Sequence, residues 1–184
     1  KGDSFDFDYH FMWDHYVDPG YYKIARILSQ DIKNLRSIGL NGFMSCQVQR
    51  SFFPTGLGMY VLGRTLWNRN TDFEELSKKY FECAFGKDSE KCREYLAGLS
   101  ELFDPDYLRG KRPIVDKDTA ERFSSICAYI NEFRHVIETN LKADNPCHAA
   151  SWNYLRYHAD LCSILAVTLE AKACADRKKA RALW

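Results

Sequence analysis

Two short runs gather the residue types able to do chemistry: Trp13-Asp14-His15, and Gln47, Gln49 and Arg50. A carboxylate beside an imidazole can bind sugar hydroxyls or tune a catalytic acid, and an indole can lie under a sugar ring. Amide and guanidinium groups are fixed donors, and arginine reads a carboxylate through two parallel bonds. Each run also has a structural reading. Asp14-His15 suits a turn or cap ahead of Pro19, and Trp13 can pack on helices with Phe7, Tyr9 and Phe11. Arg50 can pair with a buried acid instead of a ligand.

The remaining candidates are weaker. Asp8 and His10 stand two apart on an alternating run, about 6–7 Å along a strand. They can share a hydrogen-bonded network, hold a cation, or satisfy one another inside a fold. Arg64 interrupts an apolar helix, which predicts a buried or half-buried salt bridge. His135, His148 and His158 lack metal-ligand spacing, and no phosphate loop, dinucleotide loop or serine elbow occurs. The residues therefore assign no metal, no cofactor and no catalytic group. Seven cysteines, odd in number and without a CxxC pair, argue against a disulfide framework and a zinc ribbon. Cys83, Cys92, Cys127 and Cys162 fall on helix patterns and read as small hydrophobes.

The elements that must position these groups follow from periodicity. Residues 5–13 alternate: Phe5, Phe7, Tyr9, Phe11 and Trp13 on one face, Asp6, Asp8, His10 and Met12 on the other. The alternation predicts a strand with its aromatics toward helices and its polar face toward an interior. After Asp18-Pro19-Gly20 the period changes. Ile24, Ile27, Leu28, Leu35 and Ile38 predict a helix ending at Gly39, and 40–47 a buried strand. Strand, helix, strand within about 45 residues is a βαβ rhythm.

From Pro54 onward helical patterns take over. Residues 56–67 predict one helix, and Asp72 with Glu75 a capping box for a second that closes at Gly86. Asp88 predicts a third over 89–103, and 104–115 an irregular connection. Asp118 with Glu121 predicts the start of a long helix to Asn140. Asn145 with Pro146 predicts another whose stripe is Trp152, Leu155, Ala159, Cys162, Ala166 and Leu169; the charged tail after it is expected to fray.

Bulk properties narrow the class. The 26 basic and 25 acidic residues give +1, so no nucleic-acid footprint is expected. No run approaches the ~18 apolar residues of a membrane span. Aromatics make up 15% of the chain, and most are expected in the core because they carry large buried area. The surplus also fits a lining that stacks on flat ligands such as sugars, which composition does not separate from core. Two parallel strands are not a stable sheet and want cover on both faces, so the opening predicts further strands.

The pattern Asp31–Gly42, the Gln47–Arg50 segment, the YVLGRTLW run at 60–67 and the YFECAFG ending at 80–86 resemble the C-terminal part of the bacterial domain-of-unknown-function 4838 family over residues 5–103. That family is similar to alpha-glucuronidases and other retaining glycoside hydrolases built on (β/α)8 barrels. The resemblance implies that 5–16 are the seventh strand and its loop, 20–38 the following helix and 40–46 the eighth strand. Barrel chemistry sits at the C-terminal ends of strands, which points at Trp13–Tyr16 and Gln47–Arg50. It also implies catalytic acids on earlier strands. Asp8 and Asp14 lie roughly 20 Å apart on an extended strand, too far to be the hydrolytic pair.

The expectation is a mainly α chain: a partial barrel-like α/β segment at 1–54, resembling the last two βα units, then a helical domain of about five helices at 55–184. Its expected role is a fragment of a glycoside-hydrolase-like protein, silent alone, offering Trp13, Asp14, His15, Gln47, Gln49 and Arg50 to an oligo- or polysaccharide. Expected partners are the rest of the same polypeptide and a second copy through a strand edge, with no nucleic acid and no membrane. A bacterial protein of this type would be periplasmic or secreted. The alternative is a helical interaction or scaffolding module.

Overall fold

The computed structural model describes residues 3–9, 17–45 and 53–183. The order is β1 (Phe5–Asp8), α1 (Tyr22–Asn34), β2 (Gly42–Ser45), α2 (Leu57–Trp67), α3 (Phe73–Phe85), α4 (Ser89–Leu102), α5 (Pro105–Leu108), α6 (Lys117–Asn140), α7 (Pro146–Ala173) and α8 (Arg177–Leu183). This is the expected mainly α class with a short α/β opening. After β2, α2, α3, α4, α6 and α7 are substantial helices; α5 and α8 are short.

β1 and β2 pair in parallel, Asp6 against Phe43 and Asp8 against Ser45. Gly42 permits this approach, since a Cβ there would lie 2.9 Å from the Cβ of Phe5. The faces are reversed from the sequence expectation. Phe43 packs on Leu28, Ile32 and Leu62 of α1 and α2, and parallel register carries Asp6 and Asp8 to that covered side. Asp8 is buried and accepts a bond from Ser45 Oγ at 3.1 Å. The aromatic side is the open one: Phe5, Phe7, Tyr9 and Met44 are 63%, 45%, 45% and 53% exposed. Alternation defines two faces; only the docking of Phe43 decides which one the helices cover.

α1 begins where Asp18 Oδ2 accepts from Ile24 N at 2.7 Å. Gly20 lets this turn sit on α4, because a Cβ would meet Leu96 O and Ser100 Oγ at 2.3 Å. The helix stops at Asn34, short of Gly39, and a run of turns follows. Ile27 and Ile38, expected in its stripe, are 38% and 69% exposed. The face buried against α2 and α4 is Tyr22, Ala25, Leu28, Ser29 and Ile32, with Ile24 beside it.

Capping followed the sequence in part. Asp72 accepts from Glu75 N, Gly86 ends α3 at φ 72°, and Asn145 accepts from Cys147 N with Pro146 in the first turn. Asp88 precedes α4 but does not cap it; its carboxylate takes Asn140 Nδ2 at 2.8 Å and Lys91 Nζ at 2.9 Å. α6 starts at Asp116, which accepts from Thr119 N, not at Asp118. The connection 104–115 holds the short α5, whose cap Asp104 accepts from Tyr107 N. The expected fraying tail is α8.

α6 and α7 run antiparallel, with Asp116 N on Ala173 O at one end and Arg134 on Asp160 further along. The predicted α7 stripe is buried in full. Trp152 centres the core, its Nε1 donating to Phe85 O at 2.9 Å, with Phe81, Phe85, Phe123, Leu96, Leu99, Ile126 and Ile130 in the same cluster. Cys92 and Cys162 are buried there as small hydrophobes, Cys127 is half-buried, and Cys83 is exposed, against expectation. No disulfide occurs among the described residues. Arg93 ties α1, α3 and α4 together through Tyr22 Oη, Glu74 and Glu90.

Candidate functional site

Trp13, Asp14, His15, Gln47, Gln49 and Arg50 all lie outside the described residues, as do His10 and Cys46. Their described flanks define the place to which both loops connect. Asp8 and Ser45 are partners in register, so the two chains leave the sheet side by side. They return side by side as well. His158 of α7 donates from Nε2 to the Pro19 carbonyl at 2.7 Å. The Phe53 ring lies 6.0 Å from the His158 ring and 6.5 Å from Tyr154, and Tyr21 lies 6.2 Å from His158.

The second return is anchored too. The Phe53–Pro54 peptide bond is cis, and Gly56 N donates to Tyr80 Oη at 2.6 Å. Burial pushes the Tyr80 phenol up to about 12, so it stays a neutral acceptor. α7 and α3 therefore hold Pro19, Phe53 and Gly56, the described residues just ahead of α1 and α2.

His158 is the residue that sequence reasoning underrated. Its spacing excludes a metal-ligand role, yet it is buried on the packed side of α7 and holds the Pro19 carbonyl. Its position one residue before Ala159, on the stripe side of the helix, was the available signal. Cys162 Sγ lies 3.3 Å from its Nε2, which resembles a nucleophilic pair. The electrostatics argue otherwise. Burial lowers the imidazole to about 4 and raises the Cys162 thiol. Both are neutral near pH 7, and a thiolate–imidazolium pair does not form.

The other candidates settle as structural or solvated groups. Asp8 joins Ser45 on the helix-covered face. Arg64 is exposed and makes no ion pair among the described residues, contrary to expectation, because α2 turns Gly63, Arg64, Leu66 and Trp67 outward. His148 donates from Nε2 to Cys83 O at 3.1 Å and packs over Gly86, whose missing Cβ would lie 2.6 Å from its Nδ1. Among the described residues no three His, Cys, Asp or Glu side chains form a metal-binding group, and no helix is long and apolar enough to cross a membrane. No protein-family model matches the chain, and no curated protein or solved structure matches it either.

Proposed function

We propose that the chain forms two β/α units and the helical buttress of a glycoside-hydrolase-like barrel protein that acts on or binds a carbohydrate, with the other strands supplied by the same polypeptide. The observation that carries this reading is the two-stranded parallel sheet, whose aromatic face is open and whose outer edges are unpaired among the described residues. Parallel strands are ordinarily covered on both faces and flanked by further strands. The shared contact of Pro19 and Phe53 with His158 of α7 supports a common rim for the segments that precede α1 and α2, and barrels carry their chemistry on such strand-to-helix loops. On this rim Trp13, Asp14, His15, Gln47, Gln49 and Arg50 contact the sugar, Arg50 favouring an acidic one. The hydrolytic acids lie on other strands, so the 184 residues alone are silent.

The test is a screen of the full gene product against aryl glycosides and uronides beside this chain alone. Turnover by the former and none by the latter is expected. A gene that encodes only these residues sinks the reading.

A second reading, a helical interaction module without catalysis, draws on α7. Tyr154, Tyr157, Leu161 and Ile164 are 47%, 50%, 55% and 52% exposed on one stripe, while the opposite face of the same helix is core. A helix apolar on both sides is usually covered on both. The stripe is spaced 3-4-3 and is its own complement when two copies of α7 run antiparallel, each tyrosine meeting an aliphatic side chain.

A further inference from the structure

The end of the molecule where α6 starts and α7 stops holds the chain's surplus of positive charge. Of the 26 basic and 25 acidic residues, 170–183 contribute five and two, so everything else is slightly negative. Arg177, Lys178, Lys179 and Arg181 of α8 are exposed and make no ion pair among the described residues. Arg177, Lys178 and Arg181 fall within one arc of about 100° on the helix. Ala180, the one described position of α8 that is not exposed, lies outside that arc. The fifth cation, Lys172, sits 5.6 Å over the ring of Tyr107. The neighbouring stretch 104–122 carries five residues of each sign and cancels nothing of this surplus.

Beside these cations the connection into α6 presents two branched aliphatics, Ile114 and Val115, 64% and 59% exposed. They are held outward by fixed contacts. Tyr107 Oη donates to the Ile114 carbonyl at 2.8 Å, so Ile114 and Lys172 share one tyrosine. Asp116 N donates to Ala173 O at 3.2 Å, which sets Val115 against the end of α7, four residues ahead of Arg177. Leu183 is a third exposed aliphatic, at the far end of α8.

Cations and aliphatics side by side narrow the partner. Nucleic acid takes up cations, base-edge donors and flat rings, and offers little to two adjacent aliphatic side chains. An anionic lipid surface takes both: basic side chains stay among the headgroups while short apolar ones dip below them. We propose that this end of the molecule docks on an anionic phospholipid surface, with Lys172 and the α8 cations on the headgroups and Ile114 and Val115 beneath. No helix among the described residues is long and apolar enough to cross a membrane, and contact with a lipid surface needs none. The surface is formed by α5–α8 and does not depend on the barrel reading.

Flotation of the whole chain with vesicles tests it. One set is pure phosphatidylcholine, the other holds about two-fifths phosphatidylglycerol, and a DNA duplex is titrated in parallel. The chain is expected to float with the anionic vesicles and to stay behind with the neutral ones. Lys178→Glu combined with Arg181→Glu should lower the bound fraction at least about fivefold. Ile114→Ser combined with Val115→Ser leaves every charge in place and should lower it at least about threefold. No flotation with anionic vesicles, equal flotation with neutral ones, tighter binding of the duplex, or either double variant floating like the parent overturns the proposal.

Discussion

His158 and Cys162 stand one helical turn apart on α7, and their burial sets a pH window that can be measured. The folded imidazole titrates at about 4 instead of 6.5. A depressed base means the unfolded chain binds the proton more readily. The stability from keeping His158 neutral is therefore complete above pH 6.5 and is lost as pH falls toward 4. The full span is worth about 3 kcal/mol. Chemical unfolding at pH 7.5 and pH 4.5 should show this loss, and His158→Gln should remove most of it. Equal pH slopes in the two proteins would count against the assignment. Trp152 gives a second residue-level test. Trp152→Phe leaves the Phe85 carbonyl without its donor and opens a void, which should cost about 2 kcal/mol in denaturant unfolding. The burial of Trp152 was legible in the sequence because its stripe repeats at helical spacing. The tether from His158 was not, since its acceptor lies 139 residues away.

The turn that starts α1 shows how an element depends on its neighbour. Asp18-Pro19-Gly20 reads locally as a turn, and the structure adds that α4 backbone fills the space where a Gly20 side chain would go. Gly20→Ala must push that backbone away and should destabilise by at least about 2 kcal/mol, measured as a lower denaturant midpoint. α6 offers the companion case. Both Asp116 and Asp118 precede its apolar pattern, and the Asp118–Glu121 spacing favoured the latter. The chain starts at Asp116 because its N–H also bonds Ala173 O at the end of α7. Thermal unfolding should place Asp116→Ala clearly below Asp118→Ala; the reverse order would mean that the local capping signal governs. Asp88 likewise gave up its cap for Asn140. Local signals located these helices to within a few residues, and tertiary hydrogen bonds chose among neighbouring cap residues.

At the scale of the whole molecule, the described residues leave two apolar surfaces open, the aromatic side of the sheet and the stripe on α7. If two copies pair through α7, sedimentation at rising concentration shows a dimer, and Leu161→Lys returns it to monomer; a parent that stays monomeric at high concentration removes the interaction-module reading. The sequence by itself determined the class, the order of strands and helices, and the buried stripe of α7, because hydrophobic period and cap residues act within a few positions of one another. Only the tertiary structure decided which face of β1 the helices cover, because alternation is symmetric until Phe43 docks on α1 and α2. It alone brought Pro19 and Phe53 onto His158 of α7, and set Arg112 and Arg122 on one buried Asp104. Those contacts join residues distant in the chain, and no local pattern encodes them.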